Sequence, residues 1–167
     1  MIRGTTKTQK ISWLIFILYL IAILYYTIFA ESMGRANTDP TDDPRFNLIL
    51  FNEINRFIVY REQLGIKAFM LNVVGNCVAF IPGGFLLPVI SRRCRSFISC
   101  TLVGFVISFF IECTQLIFRV GSFDVEDLML NTLGVAIGFI MNAAIKKIRA
   151  FRKRKKESRI VKIRKIG

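Results

Sequence analysis

The sequence predicts an all-α integral membrane protein: a bundle of four transmembrane helices with an outer interfacial helix. Three observations carry this. The 167-residue chain is 53% hydrophobic with a mean hydropathy of +0.50, too apolar for an ordinary soluble domain of its size. Four apolar stretches each approach the length that crosses a ~30 Å hydrocarbon core at about 1.5 Å per residue. The segments between them alternate between basic and acidic along the chain.

The first stretch, Ile11–Ala30, holds no charge. Its apolar run is too long for a secretory signal core, and Ile28-Phe29-Ala30 lacks a small residue at the first cleavage position. It therefore reads as an uncleaved span. Ala68–Ile90 is the second span, Phe97–Phe118 the third with the single acid Glu112, and Leu128–Ile145 the fourth without charge. Together they define a membrane domain over 1–145, followed by a tail over 146–167.

Charge sets the expected orientation. Net charge is +13, and the tail alone holds twelve Lys/Arg and one acid, Glu157. The N-terminal segment and the connection Ser91–Ser96 are also basic, without acids. Glu31–Lys67 has five basic and six acidic residues, and Arg119–Asp127 one basic and three acidic. Positive segments stay cytoplasmic, so four spans place both termini inside and both acidic connections outside. The tail reads as a topology signal and solvated end in preference to a contact with anionic headgroups. Nucleic acid is not an expected partner, because no folded reading module accompanies the charge.

Composition narrows the chemistry. The chain has no histidine, which removes His-based metal sites and His general bases. Its four cysteines form no CxxC pair and read as small apolar packing residues. No metal and no cofactor are expected.

The outer segment Glu31–Lys67 divides in two. "NTDPTDDP" at 37–44 is turn chemistry. "LFNEINRFIVYRE" at 50–62 places Leu50, Ile54, Phe57, Ile58 and Arg61 near one helical face, the pattern of a helix lying at the outer membrane surface or folded over the bundle mouth. A strand at 46–51 is the alternative for "FNLILF".

Polar residues converge at one depth. Asn72 and Asn76 sit near the outer end of the second span, and Glu112 and Gln115 near the outer end of the third. Asp124 and Asp127 stand at the outer start of the fourth, with Asn131 one turn deeper. Asn76, Glu112 and Asn131 should lie roughly 6–12 Å below the outer ends. Glu112, Gln115 and Arg119 share a helical face, and so do Asp124, Asp127, Asn131, Gly134 and Gly138. Gly134 and Gly138 would admit a neighbouring helix closely beneath the polar layer. A carboxylate at the bilayer centre costs roughly 2.5–3.5 kcal/mol on insertion scales, and less nearer the surface, so such a group needs a partner or a wet cavity. Arg119 is the cation nearest to Glu112, Asp124 and Asp127 in sequence. The layer is either helix glue or a functional site. In "FIPGGFLLP" at 80–88, Pro82 followed by Gly83 and Gly84 marks a kink or hinge just below it.

Three segments carry a family resemblance. "NCVAFIPGGFLL" (76–87), "IECTQLIF" (111–118) and "SFDVEDLMLNTLGVAIG" (122–138) resemble the characteristic motifs of the VanZ-like membrane proteins. "FNLILFNEI" (46–54) is similar to a fourth, with Ile49 or Leu50 where the family often carries proline. The resemblance spans about residues 10–145. The family's Asn, Pro-x-Gly, Glu-x-x-Gln and Asp-x-x-Asp-x-x-x-Asn positions fall on Asn76, Pro82 and Gly84, Glu112 and Gln115, and Asp124, Asp127 and Asn131.

The founding member confers low-level resistance to teicoplanin-type glycopeptide antibiotics. The resemblance thus implies a bacterial plasma-membrane location and a cell-envelope role. The expected partners are membrane lipids, and a lipid-linked cell-wall precursor or lipoglycopeptide bound or modified at the outer leaflet. Two other readings stand beside this one. One is an intramembrane enzyme using Glu112 with Asp124 or Asp127 as acid and base on a lipid headgroup. The other is a structural partner of another envelope protein. A transporter is disfavoured, since one polar layer in four spans offers no inner site. The sequence does not specify the oligomeric state.

Overall fold

The computed structural model describes residues 7–34, 46–51, 55, 59, 70–118 and 122–164. Among these, the chain runs through α1 (Lys7–Gly34), β1 (Phe46–Asn47), α2 (Gly75–Ile90), α3 (Phe97–Ile117), β2 (Phe123–Asp124) and α4 (Val125–Arg164). A π-helical turn, Met70–Val74, leads into α2, and a 3₁₀ turn, Arg93–Arg95, joins α2 to α3. The architecture is all-α; the two strands are a two-residue parallel pairing, Phe46 with Phe123 and Asn47 with Asp124.

The helices follow from the solvent. Hydrocarbon offers no hydrogen bonds to a bare backbone, so apolar segments fold with every N–H and C=O paired internally. Among the described residues, three helices are long and apolar enough to cross a membrane, over Gln9–Tyr26, Phe97–Ile117 and Val125–Ser158. Their outer faces present large apolar side chains such as Leu14, Ile98, Phe110 and Ile117. That surface is costly in water and matched to lipid. The chain is therefore a membrane protein with several apolar helices. Within the expected second span, helix is described from Met70 to Ile90, a π turn over Met70–Val74 followed by 16 α-helical residues, Gly75–Ile90. The irregularity falls at its start, in the π turn. The α-helix itself continues through Pro82 and Pro88.

The fourth helix exceeds its expected span of 128–145. It continues for 40 residues through the basic tail, about 60 Å. Residues 146–164 contain no glycine or proline and are rich in Lys, Arg and other good helix formers. Hydropathy marks where a span leaves the membrane, not where its helix ends. The interfacial helix proposed for 50–62 lies mostly outside the described residues. Described there are a turn at Phe51, with a positive φ of 64°, and the bond from Asn55 N to Phe51 O at 2.9 Å.

Contacts define the register of the bundle. Down α4, Asp127 meets Asn76, Gly134 meets Cys77, Gly138 meets Ile81, and Asn142 meets Phe85. Numbers rise together, so α2 and α4 are parallel. Against α3 the order inverts: Asp124 meets Glu112, Asn131 meets Ser108, Val135 meets Gly104, and Phe139 meets Phe97. Hence α3 is antiparallel to both. Val135, 1% exposed, is the hub. Its side chain fills the space over Gly104, and its carbonyl lies against Gly84. A Cβ on Gly84, Gly134 or Gly138 would fall 2.0–2.1 Å from a carbonyl of the facing helix, so these helices touch backbone to backbone. Helix α1 packs on the other side of α2, where Tyr19 Oη donates to Ala79 O at 2.8 Å.

One of proline's missing donors is compensated in the core, and a side chain also reaches the neighbouring carbonyl. Pro88 cannot donate to Gly84 O; the Cys100 thiol lies 3.9 Å from that oxygen and donates to it. Asn142 Nδ2 donates to Phe85 O at 2.8 Å.

Candidate functional site

The parallel pairing of α2 with α4, and the antiparallel run of α3, bring one end of each helix together. Three polar contacts form there. Asn76 Nδ2 donates to Asp127 Oδ1 across the α2–α4 interface. Glu112 Oε2 accepts from the backbone N–H of Asp124 at 3.2 Å. Asn131 Nδ2 donates to Ser108 Oγ at 2.9 Å. Glu112 and Ser108 are four residues apart on α3, as are Asp127 and Asn131 on α4, so each pair stacks one turn apart on a common face.

Local sequence explains the placement. Asp124 precedes the first residue of α4, and its Oδ1 accepts from Glu126 N at 2.7 Å, satisfying one of the donors left bare at a helix start. Its Oδ2 accepts from Asn47 Nδ2 at 2.9 Å, which ties β1 to the start of α4. Glu126 and Asp127 follow in the first turn, where carboxylates face the positive end of the helix dipole. Small or compact residues beneath the layer let the helices close enough for short side chains such as Ser108 and Asn131 to meet.

Burial differs across the cluster. Glu112 is 3% exposed, Gln115 6% and Asn131 4%; Asn76 and Asp127 are half-buried. Gln115 Oε1 and Asn131 Oδ1 are enclosed without a hydrogen-bond partner. The Asp124 carboxylate is engaged with Glu126 N and Asn47, so it is the main-chain amide of Asp124, not its carboxylate, that binds Glu112. Arg119 lies outside the described residues, as does the side chain of Asn72. Pro82 is exposed on the outer surface of α2, and Gly83 and Gly84 are buried against Tyr19 and Val135. Among the described residues no group of three or more acidic or cysteine side chains is arranged to hold a metal.

Four contributing residues were not anticipated. Ser108 is four residues before Glu112 and seven before Gln115, so helical spacing alone could have placed it on their face. Asn142 continues the run Asn131, Gly134, Gly138 by four more residues, again a readable signal. Glu126 counts in the sequence only as a loop charge, yet it is 5% exposed. Asn47 carries no periodic signal, because its partner Asp124 is 77 positions away.

A polytopic α-helical membrane protein with a buried polar layer at one end of three helices is the class that this geometry defines. The chain belongs to the VanZ/LLP1 family, whose description matches residues 16–146, most of its length. No curated protein and no solved structure matches it.

Proposed function

We propose that the chain is a four-span bacterial plasma-membrane protein with both termini in the cytoplasm. In this reading it binds or modifies a lipid-linked cell-wall component or a lipid-tailed glycopeptide antibiotic at the outer leaflet, with a role in resistance to teicoplanin-type compounds. The observation that carries it is the cluster of Asn76, Ser108, Glu112, Gln115, Asp127 and Asn131 at a shared end of α2, α3 and α4. Intramembrane ionisable groups mark function by default, and a carboxylate 3% exposed is more than helix association needs. Charge asymmetry supports an outward position for this end. Family membership supports the envelope role.

The test is the pair Glu112→Gln and Asp127→Asn. Both keep size and most hydrogen-bonding capacity and remove only charge. Teicoplanin sensitivity of cells expressing each variant is compared with its melting temperature in detergent. The expected result is lost protection at near-native stability. Wild-type protection in both would reject a charge-dependent site. A sharply lowered melting temperature would return the cluster to a purely structural role.

A further inference from the structure

We propose that the irregular segment 46–51 is seated in the bilayer, near the hydrocarbon boundary of the leaflet on the polar-layer side, with acyl chains covering its apolar side chains. The interfacial helix expected at 50–62 is a different element; here non-helical backbone around β1 meets lipid. Neither the ligand reading above nor the orientation in the membrane enters into this placement. Five of the six residues, Phe46, Leu48, Ile49, Leu50 and Phe51, are large and apolar, and each is between 44% and 68% exposed. The segment carries no charge, and the nearest charges in sequence are Arg45 and Glu53. Four consecutive exposed apolar side chains are costly in water and mark a contact with a membrane or a partner.

Depth selects lipid. β1 pairs with β2 and is tied to it by Asn47, whose amide donates to Asp124 Oδ2 at 2.9 Å. β2 in turn meets α3 at Glu112, through the Asp124 N–H, and at Phe109, through the Phe123 ring at 5.8 Å. Those two residues stand six and nine positions before Phe118, roughly two turns back from the end of the apolar run of α3. Side chains on a helix lean toward its N-terminus, which on α3 is the end away from Phe118, so neither contact lifts β2 back toward that end. Ile117 and Phe118 are themselves exposed and apolar. β1 therefore lies at a level where α3 still presents apolar surface. The two surfaces are continuous: Phe46 contacts Phe123 at 6.4 Å, Phe123 contacts Phe109, and Phe109 contacts Phe110, which is exposed on α3. Lipid that covers Phe110 runs on without a break to Phe46. Hydrocarbon tolerates irregular backbone only where its polar groups find partners. The β1–β2 pairing and the Asn47–Asp124 bond supply them at 46–47, and Phe51 O accepts from Asn55 N at 2.9 Å. A turn leaves other backbone groups to water, which sets the segment at the edge of the core, about 15 Å from the bilayer centre, and not in its middle.

The experiment reads the depth of a tryptophan placed in the segment. Trp13, the single native tryptophan, is first removed as Trp13→Phe. Ile49→Trp is then made in the full chain, with Leu48→Trp in its place if that variant does not fold. Phe110→Trp is the lipid reference, and Ser158→Trp, exposed on the basic tail, is the water reference. Each is reconstituted at one chain per nanodisc in phosphatidylcholine brominated near either the carbonyl end or the methyl end of its acyl chains, and is titrated separately with aqueous acrylamide. Ile49→Trp should lose as much emission to the shallow bromine as Phe110→Trp does, less to the deep bromine, and far less to acrylamide than Ser158→Trp. Acrylamide quenching equal to that of Ser158→Trp would put the segment in water and overturn this placement. Protection from both quenchers would show that protein covers the segment, and would overturn it too. Stronger loss to the deep bromine would refute the boundary level. Teicoplanin protection is untouched by any of these outcomes, so the lipid seat and the proposed function fail separately.

Discussion

Gly134→Ala tests the packing that brings the polar residues together. An added Cβ at Gly134 would sit 2.0 Å from Cys77 O and 3.1 Å from Phe80 Cβ. Carbon and carbonyl oxygen approach to about 3.3 Å at closest, so α2 and α4 would have to separate by about 1.3 Å at this point. The obstacle is main chain, which cannot rotate aside as a side chain can. Gaps of 0.5–1 Å already forfeit a quarter to a half of a contact's dispersion energy, and overpacking a close interface typically costs about 1–3 kcal/mol. Better helix propensity returns up to about 1 kcal/mol. A net loss of about 1 kcal/mol is expected, a fall in melting temperature of roughly 2–4 °C for a chain of this size. Asn76 adjoins Cys77 on α2, so the same shift draws it away from Asp127, two turns from Gly134 on α4. Gly75→Ala is the control, because a Cβ there meets nothing within 4 Å. The assay is thermal unfolding of wild type, Gly134→Ala and Gly75→Ala in one detergent. Equal melting temperatures for Gly134→Ala and wild type, or an equal loss in Gly75→Ala, would refute the backbone-contact account.

Other expectations follow from single contacts. Ser108→Ala leaves the Asn131 amide without its partner and should cost about 1 kcal/mol, with most of the loss recovered by adding Asn131→Val; a double-mutant cycle without coupling would contradict this. Asp124→Ala removes the helix cap and the tether to Asn47, so it should cost about 1 kcal/mol and speed amide hydrogen exchange at 46–47 and 125–127. Unchanged exchange at 46–47 would show that this tether does not hold β1. Reporters fused after Ala30 and Arg119 should report the outside, and those after Ser91 and at Gly167 the inside; an external C-terminus would reject the four-span topology.

Much of this protein is legible from residue order alone. Apolar length and the absence of charge in Ile11–Ala30 and Leu128–Ile145 require helices, because lipid leaves the backbone no other way to pair its polar groups. The spacing of Glu112 with Gln115, and of Asp127 with Asn131, assigns each pair to a face, because a helix repeats every 3.6 residues. Family membership was readable for the same local reason: its motifs are short and contiguous. Only tertiary structure could decide which faces meet. Asn76 binding Asp127, Ser108 binding Asn131, and the main chain of Asp124 rather than its carboxylate holding Glu112 all depend on helix rotation and on backbone contacts at Gly84, Gly134 and Gly138. So does the pairing of Asn47 with Asp124. Hydropathy measures transfer of each residue from water to lipid and is blind to such partners. It ended the fourth span near Ile145 while the helix runs on to Arg164, and it gave no sign of the π turn at the start of α2. Periodicity belongs to one segment; the choice of partner belongs to the packed bundle.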